Sequence, residues 1–472
     1  MTNEPNSPSS LDSPPPSPDP QSESGLAKFF KFSELKTTLR TEILAGITTF
    51  VTMAYILVVN PDILSAGIFL TEAGDLFGEL VIATALSAAI ASLFMGLYAN
   101  YPFVLAPGMG LNAYFTFSVV IGLGIDWRVA LAAVFVEGLI FIALTLANIR
   151  ALIIKVIPEC IKHSTAAGIG LFIAYIALSG DPAVGGAGII VAYEPTKTAL
   201  GDLTQGPTIM ALIGILITSA FVARRVVGAL LWGILATAVL GWIVGVAPWP
   251  TGIVGVPQMP VDLVGQAFTG LGSLLQVNPL QLFTVLLAFL FVDLFDTVGT
   301  LTGLGMKAGY IDENGELPKA NKAFMADAIG TTAGSVLGTS TVTTYIESAS
   351  GVSEGGRSGF TAIVAAILFF LAIFFIPLLS AIPGFATAPA LLIVGVLMAG
   401  SLSQVRWADP AEAIPSFLTV LIMPLSYSIA DGLAAGLVTY PFVKAFQGKA
   451  HEVSPALWVL AIIFILKFGF AR

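Results

Sequence analysis

The sequence predicts an all-α protein that crosses a membrane many times. Of its 472 residues, 56% are hydrophobic and 10% are charged, whereas a soluble chain of this length needs far more charge to cover its surface. Apolar runs of about 20 residues, which can cross a hydrocarbon core of about 30 Å, recur along the chain. The alternating strands of about 10 residues that are typical of membrane barrels do not occur.

The apolar runs predict about 14 spans. These spans lie at residues 43–63, 79–98, 103–122, 128–148, 163–180, 207–223, 226–246, 280–305, 321–338, 342–356, 360–379, 386–402, 411–427 and 428–446. We expect a further apolar run at 455–470 to form an interfacial helix rather than a fifteenth crossing.

Basic residues predict the direction of the spans. Several precede the first span, and nearly all of the others fall on the same side, leaving only Arg128 and Lys197 on the opposite side. Because cytoplasmic loops carry the excess of Lys and Arg, we expect a cytoplasmic N-terminus and a multi-pass protein of the inner (plasma) membrane of the cell. Residues 1–27 are rich in Pro, Ser and acids, lack the apolar part of a secretory signal, and are predicted to be a disordered tail.

Composition also excludes several kinds of site. One cysteine, Cys160, allows neither an internal disulfide nor a cysteine-cluster metal site. His163 and His451, the two histidines, lie far apart in sequence, so neither a histidine zinc site nor a Ser-His-Asp triad is expected. The stretch APGMGLNA matches a dinucleotide-binding pattern but lies inside a membrane segment. We therefore expect no metal, no cofactor, no nucleic-acid partner and no enzymatic activity.

Two spans are interrupted by small and polar residues. Span 3 lies in YPFVLAPGMGLNAYFTFSVV, and span 10 lies in GTSTVTTYIESASGVSEGGRSG. Broken segments at matching places in two halves predict a transporter of inverted repeats with its binding site at the breaks. When each repeat has an odd number of spans, the second repeat begins on the opposite side of the membrane and so has the inverted orientation. Non-helical backbone at membrane depth is tolerated where it is buried in protein or lines a cavity.

Acidic residues lie inside the predicted spans. In FVDLFDTVGTLTG (291–303), Asp293, Asp296, Thr297 and Thr300 share one face of a helix. A carboxylate at the bilayer centre costs about 3 kcal/mol or more, so these acids need partners, water or protons. They indicate a binding site, and a polar clamp between helices is the structural alternative.

The two breaks add further polar groups. Glu347 follows Thr343 and Thr344 in span 10, and Asn112 lies in span 3. Three acids, an amide and hydroxyls, without Lys or Arg, favour a flat neutral ligand with several hydrogen-bonding groups, or a cation, over an anion. Nearby aromatic residues would either stack on such a ring or simply pack: Phe103, Tyr114, Phe115 and Tyr345.

The same acids suggest ion coupling. Burial and a second nearby acid both favour the protonated form of a carboxyl group. We therefore expect proton symport through Asp296 and Glu347, with Na⁺ as the alternative coupling ion.

Four motifs resemble a known family. TEILAGITTFVTMAYILVVNP (41–61), VLAPGMGLNAYF (104–115), FVDLFDTVGTLTG and TSTVTTYIESASGVSEGGRSG (339–359) are similar to the AzgA-like adenine/guanine/hypoxanthine permeases. These belong to the nucleobase–cation symporters, with the uracil and xanthine permeases. The resemblance runs from about residue 28 to the C-terminus.

The resemblance implies two inverted seven-span repeats, in which short antiparallel strands precede half-helices in spans 3 and 10. A core domain (28–150 and 280–380) would move like an elevator against a gate domain (151–250 and 385–447). Small residues in TAPALLIVGVLMAG (387–400) would permit close helix contact.

The resemblance also implies the site residues and the substrate. Those expected to bind substrate are Asp293, Glu347, Asn112, Ser348 and Ala113. Those expected to couple protons or support the site are Asp296, Glu347, Thr297 and Thr344. The DxxD of span 8 and the IES of span 10 favour purines over pyrimidines.

The expected function is therefore import of adenine, guanine or hypoxanthine by a protein whose partners are the purine base and the lipid bilayer, with a homodimer left open. The alternatives are a uracil/xanthine permease and an anion transporter of the same fold. An anion transporter predicts a positive residue at the breaks, where the sequence has none.

Overall fold

The computed structural model describes residues 25–148, 156–312 and 317–470, and most of these residues are helical. The helices are α1 (Gly25–Phe29), α2 (Leu39–Met53), α3 (Ile56–Ser65), α4 (Phe77–Phe94), α5 (Met109–Ala113), α6 (Trp127–Leu146), α7 (Glu159–Ser179), α8 (Gly206–Ala223), α9 (Ala229–Val244), α10 (Gln266–Leu274), α11 (Pro279–Ala308), α12 (Ala320–Leu337), α13 (Ser348–Ser353), α14 (Gly359–Ala372), α15 (Ile376–Leu379), α16 (Gly384–Ala399), α17 (Pro410–Ser426), α18 (Ile429–Phe446) and α19 (Pro455–Phe470). The strands are β1 (Leu105–Pro107), β2 (Ile190–Tyr193), β3 (Lys197–Leu200) and β4 (Val342–Thr344).

Every predicted span coincides with a helical segment of the described chain, so the predicted fold class is confirmed. Eight helices in the described ranges are long and apolar enough to cross a membrane. The starts differ most in the two broken spans, where α5 begins at Met109 and α13 at Ser348, each six residues after the predicted starts at 103 and 342. Helices α2 and α7 begin four residues before the predicted starts at 43 and 163.

Local sequence signals set the ends of the helices. In α11, the side chain of Asn278 accepts hydrogen bonds from the first turn, and Pro279 occupies the first helical position, where its missing N–H costs nothing. Gly309 ends the helix with φ of +72°, a conformation that glycine adopts without strain. The 30 residues between these signals give a helix of about 45 Å.

Spans 3 and 10 are broken as predicted. Strands β1 and β4 pair antiparallel, with Leu105 opposite Thr344 and Pro107 opposite Val342. Each strand leads into a short half-helix, α5 after β1 and α13 after β4. After α5 the chain continues as a π-helix over Tyr114–Gly122. The strand pair joins the two halves of the chain at the level of both breaks.

The helices pack as two sets. In the core set (25–148 and 279–379), α6 packs on α12, and α14 packs on α2 and α4. In the gate set (159–244 and 384–446), α16 and α17 pack on α7. Contacts between the sets are sparser.

Glycines bring particular helices together. A Cβ added at Gly395 of α16 would lie 2.5 Å from the carbonyl oxygen of Gly170 in α7, so these two backbones touch. Between the sets, a Cβ added at Gly110 in α5 would lie 2.4 Å from Ile169 of α7. Larger residues at these positions would force the helices apart.

Several elements differ from the sequence analysis or extend it. The hairpin β2–β3 and helix α10 were not expected. Residues 25–27 of the predicted disordered tail begin the short helix α1, and residues 1–24 lie outside the described part of the chain. The apolar run at 455–470 forms α19, which packs on α18; its interfacial placement stays a prediction.

Candidate functional site

The second half of α11 has a polar, open face. Asp296 is exposed although it lies midway along the helix, and Gly299, Thr302 and Met306 continue the exposed stripe toward Lys307. A Cβ added at Gly299 would meet no atom within 4 Å. Helix faces that meet lipid carry residues such as Leu and Ile, so the composition of this face, with Asp, Gly and Thr, indicates that it faces water rather than lipid. We call the space beside this face the cavity.

Glu347 lies near this face of α11. It precedes α13 at the break of span 10, and its side chain is half-buried. The hydroxyl of Tyr55, between α2 and α3, donates to Glu347 Oε1 at 2.7 Å. Ile346 is 52% exposed and lies 3.5 Å from a Cβ added at Gly303 of α11. The tip of span 10 therefore packs against α11 at Gly303.

Asp296 and Glu347 lie close enough to interact electrostatically. Thr343 of β4 donates from its hydroxyl to Asp296 Oδ2 at 3.2 Å. One carboxyl oxygen of each acid therefore accepts a hydrogen bond from a neutral hydroxyl. The other oxygen of each acid can accept a hydrogen bond from a ligand. Both belong to the predicted site, and the structure brings them together.

Asp293 is not brought to this cavity, contrary to its expected place beside Glu347. It is fully buried and interacts electrostatically with Glu137 and Asp327 of neighbouring helices. Neither of its carboxyl oxygens makes a hydrogen bond within the described chain. The neighbouring helices explain the difference between the two acids. The side of α11 that carries Asp293 packs on α6 and α12, whereas the side that carries Asp296 is exposed.

Thr297 and Thr344 also point away from the cavity. Thr297 donates from its hydroxyl to Asp327 Oδ2, and Thr344 donates to Asp327 Oδ1 at 3.1 Å. Both threonines are buried. They support an acid of α12 rather than contact a ligand.

Asn112 lies buried near the break of span 3. Its Oδ1 accepts a hydrogen bond from the hydroxyl of Ser340, whereas its Nδ2 has no partner among the described residues. A buried amide N–H without an acceptor is costly, so a ligand that offered an acceptor here would relieve that cost, although Asn112 itself is fully buried.

Ser348 and Ala113 contact neighbouring protein groups. The Ser348 hydroxyl accepts from the backbone N–H of Val104 at 3.0 Å and lies 3.5 Å from the carbonyl oxygen of the same residue. It ties the half-helix α13 to the strand region of span 3. Ala113 is buried in α5 and has no side-chain polar atom.

The four candidate aromatic residues differ in their surroundings. Tyr345 is close enough to interact electrostatically with Glu347 and Asp296, and its hydroxyl donates to the carbonyl of Pro107. All four side chains are buried: Phe103, Tyr114, Phe115 and Tyr345. Tyr345 is therefore the aromatic residue placed beside the two acids.

Three polar residues around the site were not among the predicted site residues: Asp327, Glu137 and Tyr55. Asp327 and Glu137 could have been found, because each is an acid within an apolar span. Tyr55 offered no such signal, since a tyrosine in an apolar run is more often packing. Its role depends on a contact between residues that are 292 positions apart.

Comparisons with known proteins agree with this architecture. The Permease family model Xan_ur_permease matches residues 40–435. The chain is 46% identical to the guanine/hypoxanthine permease PbuG of Bacillus subtilis (strain 168), covering 95% of this chain and 100% of that protein. It is 41% identical to the adenine permease AdeP of Escherichia coli (strain K12), covering 94% of this chain and 96% of that protein.

A solved structure shares the fold. The transmembrane domain of the cyanobacterial bicarbonate transporter BicA superposes with a TM-score of 0.59 at 16% identity, covering 84% of this chain and 97% of that domain. That likeness concerns the fold alone. The family match and the two permease relatives concern nearly the whole chain, and they confirm the resemblance in its motifs. This chain is a multi-pass membrane protein that belongs to the permease family.

Proposed function

We propose that this permease imports purine nucleobases, with the base bound in the cavity between Asp296 and Glu347. Relatives named as guanine/hypoxanthine and adenine permeases support the substrate class. The observation that carries the proposal is the pairing of two carboxyl groups, from a continuous helix and from a broken one, at one water-accessible opening.

The geometry suits a planar base. A purine carries N–H donors on its edges and a flat apolar ring. The free oxygens of Asp296 and Glu347 accept such donors, and the unpaired Nδ2 of Asn112 is a donor suited to a ring nitrogen or carbonyl oxygen. Tyr345 lies beside both acids and is the candidate for contact with the ring face.

An anion fits this opening poorly. The described side chains that bond to the two acids are the neutral hydroxyls of Thr343 and Tyr55. Arg357 lies beyond the end of α13, where its guanidinium donates to the carbonyls of Val352 and Gly356. Two carboxylates without a nearby cation would repel an anion.

The direction of transport and its mechanism are also proposals. The open stripe of α11 runs from Asp296 toward Lys307, the end that the positive-inside rule assigns to the cytoplasm of the cell membrane, together with the N-terminus. Sliding of the core set against the gate set would move the bound base from the outer side of the membrane to the cytoplasmic side. Sparse contacts between the sets support this motion. Proton symport, which the sequence leads us to expect through Asp296 and Glu347, would supply the driving force, with Na⁺ as the alternative ion; the residues that carry the proton are taken up below.

Uptake of labelled hypoxanthine in cells that lack their own purine permeases tests the function. We expect unlabelled adenine, guanine or hypoxanthine to compete and uracil to compete poorly. Stronger competition by uracil than by any purine would contradict the substrate class, and an absence of uptake by correctly inserted protein would contradict the function.

A further inference from the structure

A second group of acids lies behind α11, on the side away from the cavity. It comprises Asp293 of α11, Asp327 of α12 and Glu137 of α6, and each of these residues is fully buried. Asp293 interacts electrostatically with both of the others, and Glu137 with Asp327. We call these three residues the buried acid group.

The partners of these acids are unequal. Asp327 accepts hydroxyl hydrogen bonds at both of its carboxyl oxygens, from Thr297 and Thr344. Both oxygens of Glu137 and both oxygens of Asp293 lack a hydrogen-bond partner in the described chain. Glu137 therefore brings an unpartnered, fully buried carboxyl group from a third helix toward the two acids on α11 and α12.

Such carboxyl groups cannot all be ionised. A buried charge without a partner is costly, and a second like charge nearby adds to the cost. Hydroxyl donors stabilise the ionised form of Asp327 at both oxygens. Among the described residues, Asp293 has only the nearby hydroxyl of Thr331, which donates to the carbonyl of Val342, and Glu137 has no donor. The group must therefore be neutralised, either by protons or by a metal cation.

Protons fit better than a metal cation. No group of three or more His, Cys, Asp or Glu side chains in the described ranges is arranged to hold a metal ion. A proton needs no coordination shell, and neighbouring carboxyl groups can share one. The other titratable group facing this region is Asp296, which interacts electrostatically with Asp293 and Asp327.

We propose that Glu137 and Asp293 form a proton-binding site, separate from the base, that carries the coupling proton as the core set moves. This inference rests on the proposed purine transport. A proton adds to a carboxyl oxygen of the pair when the site is reached from the outside, and it leaves to cavity water by way of Asp296 only after the base has been released from that residue. Base and proton then occupy different carboxyl groups, so one does not displace the other.

Two transport modes of purified protein in lipid vesicles test this inference. Counterflow exchanges labelled for unlabelled hypoxanthine and needs no net proton movement, whereas accumulation needs an imposed pH gradient. We expect the Glu137→Gln variant to keep counterflow. Under an imposed pH gradient, it should bring hypoxanthine only to equal concentrations inside and outside the vesicles, without accumulation. Glu159→Gln, which alters an exposed acid paired with Lys162, is the matched control and should keep both modes.

The outcomes separate this inference from the proposed function. Gradient-driven accumulation by Glu137→Gln would overturn the proton site, and so would loss of both modes in a folded variant. If Glu137→Gln does not fold, Asp293→Asn replaces it in the same comparison. In the wild-type protein, a pH indicator trapped in the vesicles should report proton entry with hypoxanthine. Hypoxanthine transport without proton entry overturns the inference alone, while absence of wild-type counterflow overturns the proposed function.

Discussion

The hydroxyl of Tyr55 donates to Oε1 of Glu347 at 2.7 Å, which links the middle of span 1 to the break of span 10. Tyr55 is fully buried, so the hydrogen bond is shielded from water. It leaves the second oxygen of Glu347 for a ligand. Tyr55 is therefore a positioning residue for the acid at the tip of span 10.

Replacement of this hydroxyl should weaken binding more than turnover. A hydrogen bond to a charged group contributes about 1.5–3 kcal/mol, so we expect Tyr55→Phe to raise the KM for hypoxanthine by roughly tenfold or more. Initial uptake rates over a range of concentrations measure this. Tyr310→Phe, which removes a hydroxyl that donates to the carbonyl of Arg357, should leave KM unchanged. Equal KM values for the Tyr55 variant and wild type would remove its positioning role.

Neutral variants of the two cavity acids should abolish transport. Asp296→Asn and Glu347→Gln each replace an acceptor oxygen by a donor, which opposes an N–H of the base. We expect uptake to fall by roughly 100-fold or more, equivalent to about 2.7 kcal/mol. Labelled hypoxanthine uptake, normalised to protein in the membrane, measures the loss. Near-normal uptake by either variant would exclude that acid from the site.

A cross-link between the two sets should stop an elevator motion. Thr387 of α16 donates to Asp62 Oδ2 of α3 at 2.7 Å, so this gate residue and this core residue touch. In a Cys160→Ala background, we expect oxidation of Asp62→Cys with Thr387→Cys to block uptake and reduction to restore it. Each single cysteine variant is a control. Full uptake by fully cross-linked protein would show that these residues do not separate during transport.

Not every buried acid should affect transport. Glu42, at the start of α2, accepts from the backbone N–H groups of Arg357 and Ser358 and from the hydroxyl of Thr361. Glu42→Gln should lower the free energy of unfolding by about 1–3 kcal/mol and leave KM unchanged.

Thermal unfolding in detergent, together with uptake kinetics, tests this structural role. Glu34→Gln is the control, because its exposed pair with Lys31 contributes about 0–1 kcal/mol. A raised KM for the Glu42 variant, with an unchanged melting temperature, would contradict the structural assignment.

Much of the fold was predictable because its signals are local. Apolar length predicts the spans, and Pro107, Gly108 and Gly110 predict the break of span 3 since they interrupt helix hydrogen bonding. The antiparallel strands before the half-helices, β1 and β4, were expected from the family resemblance rather than from the residues themselves. The hairpin β2–β3 has no comparable signal in a sequence dominated by apolar runs.

The site was only partly predictable. Periodicity assigns Asp293 and Asp296 to one sector of α11, but neighbouring helices decide which of them meets water. Helices α6 and α12 cover Asp293, and the side toward the tip of span 10 leaves Asp296 open. Tyr55 depends on a tertiary contact that one sequence cannot show. The acids Asp327 and Glu137 were visible as polar residues in apolar spans, although their grouping required the fold.

The most direct measurement is an experimental structure of the purified permease with bound hypoxanthine. We expect the ring to lie between Asp296 and Glu347, with N–H groups at about 3 Å from a carboxyl oxygen of each, and with Asp293 out of contact. A ring bound against Asp293, or anywhere away from the pair, would contradict the proposed site.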